Sequence, residues 1–175
     1  MSVHIVIDGY NLIRQSPTLS TIEYSSLEKG REALLEHLVF YKRAKHHSIT
    51  VVFDGANADT HMERRTRRKG IDVIFSRPGE LADSVIKRIV TRERERAVVV
   101  TSDREVADFA AKKGAATVDS IEFENKMKMA TYPDMNEVDF AETEDKGWIP
   151  TTKKKGPSRR LSKQQRKRSS RTRKL

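Results

Sequence analysis

"VHIVIDGYNLI" (residues 3–13) begins as a β-branched run and then breaks on Asp8, Gly9 and Asn11. Near-continuous apolar runs, without polar alternation, are what a sheet covered on both faces requires of its strands. The same signature returns at "ITVVF" (49–53), "IDVIF" (71–75) and "AVVV" (97–100), with "ATV" (116–118) as a shorter fifth. Helical patterns separate these runs. "SLEKGREALLEHLVFYKRAK" (26–45) spaces Leu27, Leu34, Leu38 and Tyr41 as one stripe, widened by Leu35 and Val39. "ELADSVIKRIVTRER" (80–94) does so with Leu81, Val85, Ile86, Ile89 and Val90, and "DREVADFAAKKG" (103–114) runs from an acidic start to a glycine stop. A last helix follows the fifth run, capped by Asp119 with Glu122 three residues on, or by Ser120. Alternating strands and helices predict an α/β three-layer sandwich with a central, mostly parallel sheet and right-handed crossovers.

In such a sheet the ligand site lies outside the carboxyl ends of the strands. This chain places an acid there repeatedly: Asp8 after the first run, Asp54 after the second and Asp103 after the fourth. Asp83, in the first turn of the helix after the third run, projects to the same edge. Converging carboxylates repel one another and need a compensating cation or must partly protonate. A hard divalent ion, Mg²⁺ or Mn²⁺, takes oxygen ligands and leaves positions for a phosphate, so the expected chemistry is phosphodiester hydrolysis. Asn11 would hold a water or a phosphate oxygen, and Thr101 or Ser102 would bond a neighbouring carboxylate. Each acid also has an ordinary use. Asp8-Gly9 and Asp54-Gly55 are turn dipeptides, Asp103 is a good N-cap, and Asp83 suits a first-turn position near the helix macrodipole. Asp108 and Glu105 read as a solvated helix face.

The charge of +10 comes from 35 Lys and Arg against 25 Asp and Glu. Residues 151–175 hold six Lys and six Arg and no acid, so residues 1–150 carry −2. The chain divides into a folded domain (1–130), an acidic, turn-rich linker (131–150) and a basic tail (151–175) expected to be disordered unless bound. Absence of cysteine excludes disulfides and thiolate metal sites. No run suggests a signal peptide or a membrane span, so a soluble, cytoplasmic protein is expected. His46-His47 read as surface residues, and no zinc spacing appears.

The pieces "IVIDGYNLI" (5–13), "VVFDGA" (51–56), "GIDVIFS" (70–76), "LADSVIKRIV" (81–90) and "VVVTSDREVADFAAKKGA" (98–115) occur in an order that resembles the NYN family, specifically its YacP-like branch among the PIN-like ribonucleases. The resemblance spans most of the first 130 residues and stops short of the tail beyond Trp148. It implies a PIN-like fold and a metal-dependent endoribonuclease. Asp8, Asp83 and Asp103 match the family's acidic metal ligands, Asn11 the Asn of its name-giving motif, and Asp54 the acid after the second strand. Ala116-Thr117-Val118 stands where a basic residue is expected.

For holding RNA, "MERRTRRKG" (62–70) offers Arg64, Arg65 and Arg68, which share a face if this segment is helical. The tail offers Lys153, Lys154, Lys155, Arg159, Arg160, Arg166, Lys167 and Arg168, suited to RNA or a ribosomal surface without sequence readout. It has no aromatic residue, so base stacking must come from elsewhere. The expected partner is single-stranded RNA, mRNA or rRNA, with no membrane and no organic cofactor. The alternative is a non-catalytic RNA- or ribosome-binding adaptor on the same core. A phosphatase or phospho-acceptor domain fits less well, because Tyr10 stands where a DxD pair needs its second acid.

Overall fold

The computed structural model describes residues 3–55, 64–131 and 162–175. Six strands, β1 (His4–Asp8), β2 (Ser48–Phe53), β3 (Arg64–Arg68), β4 (Ile71–Phe75), β5 (Ala97–Val100) and β6 (Ala116–Val118), form one sheet in the order β3-β4-β2-β1-β5-β6. All pairs are parallel except β3 with β4. Helices α1 (Gly9–Gln15), α2 (Pro17–Ser25) and α3 (Leu27–Lys45) join β1 to β2; α4 (Ala82–Glu93) and α5 (Arg104–Lys112) flank β5, and α6 (Ser120–Thr131) follows β6. The five apolar runs are therefore the five mutually parallel strands. No helix among the described residues is long and apolar enough to cross a membrane.

Strand parity divides the core. Ile5, Ile7, Val51, Phe53, Val73, Val98 and Val100 pack with α1, α3 and α6, whereas Val6, Val52, Ile74 and Val99 pack with α4 and α5. This is the two-residue period of a strand covered on both sides. The α3 stripe is buried at Leu34, Leu35, Leu38, Val39 and Tyr41, but Leu27, at its first turn, is 45 % exposed. Leu81 precedes α4 and is 65 % exposed, so it does not belong to that helix's buried face. The short helices α1 and α2 lack a long stripe; Ser16 ends one and caps the other, accepting from the Leu19 amide at 3.2 Å.

Three further expectations are corrected. Residues 64–68 form an antiparallel edge strand and not a helix. Its lack of apolar residues hid it, yet five exposed polar side chains suit an edge that must resist further pairing, and the left-handed Lys69 and Gly70 (φ 48° and 85°) turn the chain into β4. Cross-strand partners share a face, so Arg64 (opposite Phe75) and Arg68 (opposite Ile71) face the α3 side, while Arg65 (opposite Ile74) faces the α4 side.

The end of the basic tail is also ordered. Ser162 and Gln165 form a capping box that starts α7 (Lys163–Thr172), which packs along the β6 edge. Arg168 donates to the Ala111 carbonyl and Arg171 to that of Gly114 at 3.3 Å, cations meeting carbonyls at and just past the end of α5. Arg171 and Lys167 also pair with Glu95 at 3.0 and 3.6 Å. Leu175 is buried in the α3-side core and its carbonyl accepts from the Tyr41 hydroxyl at 3.1 Å. His47, expected at the surface, is buried with its ring nitrogen 3.2 Å from the Lys174 carbonyl. A composition argument misses this docking because one leucine and a few carbonyls do the anchoring. Lys153, Lys154, Lys155, Arg159, Arg160 and the acidic linker from residue 132 lie outside the described residues.

Candidate active site

Asp8 is the last residue of β1 and shares the parity of Val6, which aims it at the α4 side. It is 8 % exposed and caps α1, accepting from the Asn11 amide at 3.2 Å. Gly9 is required here for space: a Cβ would lie 2.2 Å from the Phe53 ring. Asp54, just past β2, accepts from the Ala82 amide at 2.6 Å and so supplies the cap that Leu81 does not give α4. Asp83 stands beside Ala82 in the first turn of α4, and Asp103 caps α5, accepting from the Glu105 and Val106 amides at 2.7 and 3.3 Å. The ordinary capping roles and the shared edge are thus both realised. Asp8, Asp54 and Asp83, with Tyr10, Asn11 and Arg14, line a cavity of about 220 Å³.

Electrostatics binds the four acids into one group. Burial pushes the Asp8 carboxyl up to about 6, against the Asn11 amide bond that favours the anion, and the charges of Asp83, Asp54 and Asp103 push it further. Asp83 is also raised, by burial first and then by Asp103, with Lys87 opposing and Asp54 and Glu105 adding to the rise. Lys87 itself is held by Glu105. Asp108 is exposed on α5, in keeping with a solvated face.

Asn11 has a structural use beside the one expected. Its Oδ1 accepts from the Ser102 amide at 2.9 Å and the Ser120 hydroxyl at 2.8 Å. A backbone N–H can only donate, so the atom facing it is the oxygen, and the NH₂ group is the end left for a ligand. Ser102 Oγ donates to Asp119 at 2.7 Å and Thr101 Oγ1 accepts from the Asp103 amide at 3.1 Å. Asp119 accepts from the Ile121 amide at 2.9 Å and is the cap of α6. One amide oxygen therefore ties the ends of β1, β5 and β6 together, which fixes Asp103 relative to Asp8. Sequence reasoning missed two members of this frame. Fully buried Ser120 was legible only as a cap, and Ser76, whose hydroxyl accepts from the Gly55 amide at 3.0 Å and donates to the Glu80 carbonyl at 2.6 Å, ended a matching stretch but was given no role.

The donor set consists of carboxylate oxygens, which suits a hard divalent cation and no soft one. Among the described residues, no three His, Asp or Glu side chains are gathered tightly enough to hold an ion as they stand. The capping bonds of Asp8, Asp54 and Asp103 each engage Oδ1, so every one of these carboxylates keeps a second oxygen. Among the described residues, the candidate RNA-binding side chains do not form one surface. Arg64, Arg65 and Arg68 lie at the β3 edge, Arg166, Lys167 and Arg168 on α7 at the β6 edge, and the carboxylates between them.

The YacP-like NYN domain model matches residues 5–174, which includes α7 and extends the resemblance past Trp148 to the end of the tail. Two solved structures are similar in fold. The crystal structure of Rae1 (YacP) from Bacillus subtilis superposes with a TM-score of 0.63 at 25 % identity, covering 79 % of this chain and 80 % of that one. A Trp-to-Leu variant of that protein gives 0.64 at 23 %, covering 78 % and 80 %. The curated protein YacP of Bacillus subtilis (strain 168), described as uncharacterized, is 29 % identical over 85 residues, 49 % of each chain, so the match spans about half the length of that relative.

Proposed function

This chain belongs to the YacP-like NYN domain family, a nuclease-type domain on a PIN-like fold, and from that premise we propose that it is a metal-dependent endoribonuclease acting on single-stranded RNA. The observation that carries the reading is Asp8. Asparagine would cap α1 as well without the charge, so the fold has no need of a carboxyl pushed up to about 6 by burial and three neighbouring acids. Strain of this kind is retained where a ligand relieves it. Asp8, Asp83 and Asp103 would hold Mg²⁺ or Mn²⁺, with Asp54 as fastener of α4. The ion supplies charge neutralisation at the scissile phosphate and a nucleophile at neutral pH. The Asn11 amide NH₂ donates to a phosphate oxygen or the attacking water, and Arg14 brings positive charge to the same cavity.

The basic stretches at the two sheet edges would hold the RNA on either side of the acids, through phosphate contacts that carry no sequence information. A ribosomal surface meets the same chemistry, and both partners imply a cytoplasmic setting. The adaptor reading also has an observation in its favour: Asp54 and Asp103 already cap helices, and no three acids among the described residues are gathered for an ion.

Cleavage of a 5′-labelled single-stranded RNA separates the two. With Mn²⁺ or Mg²⁺ the wild type yields products that EDTA abolishes, and Asp83→Asn lowers the rate by about 100-fold or more. Binding without metal-dependent products, on free RNA and on translating ribosomes alike, would leave the adaptor.

A further inference from the structure

The wall of the acidic cavity continues away from the carboxylates as a row of aromatic rings. Tyr10 meets Phe53 edge-on with centroids 5.1 Å apart, and Phe53 stacks on Phe75 at 5.6 Å. Beyond that row, on the α3 side of the sheet, lies a second cavity of about 220 Å³ lined by Phe53, Phe75, Arg31, Arg64 and Arg68. The Arg31 and Arg64 guanidiniums sit 5.6 and 5.5 Å from the centre of the Phe75 ring. Arg31 also donates to the Tyr10 hydroxyl at 2.8 Å, so one residue pair borders both cavities.

The chemistry of this groove selects its occupant. A half-buried aromatic ring flanked by guanidinium planes accepts another flat π system, and the positive charge favours an anionic backbone attached to it. An unpaired nucleobase in a single strand offers both. A phosphate alone fits poorly, because Glu28 and Glu32 stand on the same wall and Arg68 is already paired with Glu32 at 3.3 Å. The strand register strengthens the case. Because β3 is extended and not helical, Arg64 is directed to the Phe75 side, and Arg65 is carried to the other face.

We propose that this groove is a nucleobase subsite, taking one unpaired base of the RNA strand beside the linkage held at the carboxylates, with the Arg64 guanidinium closing over it. This rests on the reading of single-stranded RNA as the substrate.

The test uses the full chain carrying Asp83→Asn, in Mg²⁺, and two short fluorescent oligonucleotides of equal length and charge, one with its bases and one abasic. The intact oligonucleotide is expected to bind more tightly. Adding Phe75→Leu should weaken its binding by about 5- to 100-fold, and adding Arg64→Ala by about 2- to 5-fold, with little change for the abasic one. Arg64 is exposed on an edge strand, so its variant keeps the test valid if Phe75→Leu unfolds. Equal binding of the two oligonucleotides, or a base preference that Arg64→Ala leaves undiminished, would overturn the subsite. The outcome is separable from the nuclease reading: metal-dependent cleavage by the wild type without base preference removes the subsite alone, and base preference through Arg64 without cleavage removes the nuclease alone.

Discussion

Asp8 ionises at about 6 in the folded chain against 3.8 for the unperturbed group. Between those values the folded state holds a proton that the unfolded chain has released. Stability therefore falls as pH rises through that window, and above it the ionised Asp8 costs up to about 3 kcal/mol. Asparagine caps a helix as well as aspartate does, so Asp8→Asn keeps the bond to the Asn11 amide and removes the charge. In chelator-treated protein, Asp8→Asn is expected to be more stable than wild type by about 1–3 kcal/mol near pH 7.5, the two converging near pH 4, while metal-dependent cleavage is lost. Urea unfolding across pH reads this directly. A variant less stable than wild type at every pH would mean that Asp8 is a structural cap only. Asp8, Asp54 and Asp103 were visible in the sequence as acids after strands and Asp83 as an acid in a helix's first turn at the same edge, because the topology rule that gathers them needs no side-chain detail. The role of Asn11 was not, because its partners Ser102 and Ser120 are 91 and 109 residues away.

At the scale of elements, the site depends on close approaches that only glycine allows. A Cβ on Gly55 would lie 1.9 Å from the Ser76 carbonyl oxygen, a backbone atom that cannot swing aside. Gly55→Ala is expected to cost about 1–3 kcal/mol and to shift Asp54 away from the α4 N-terminus, lowering cleavage as well as thermal stability. Unchanged activity in a folded Gly55→Ala protein would show that Asp54 and α4 do not set the position of Asp83. The five parallel strands were legible because buried strands advertise themselves by composition. Strand β3 was not, since an edge strand made of charge has no apolar period and is defined only by its partner β4. A helical reading of that segment puts Arg64 and Arg65 on one face, and the hairpin separates them.

Across the whole molecule, the basic segment divides into a structural part and a charged part. Leu175→Ala removes a core side chain packed below Tyr41 and is expected to destabilise by about 2–5 kcal/mol without altering the salt dependence of RNA binding. Replacing Lys153, Lys154 and Lys155 by alanine should do the opposite: unchanged unfolding, weaker RNA binding, and a shallower salt slope by about one unit for each phosphate no longer neutralised. Removal of residues 151–175 as a block mixes the two effects, because it also uncovers the β6 edge. Identical salt slopes before and after the lysine replacements would exclude those residues from the RNA interface.

By itself the sequence determined the layered α/β class, the parallel strands and the edge at which the acids gather. Those follow from local composition and from the rule that links strand direction to ligand sites. Tertiary structure alone decided which side of the sheet each arginine serves, how Asn11, Ser76 and Ser120 lock the strand ends, and how a basic helix closes the far edge. Those features are pairings between residues distant in the chain, and a pairing has no signature in either partner's own neighbourhood.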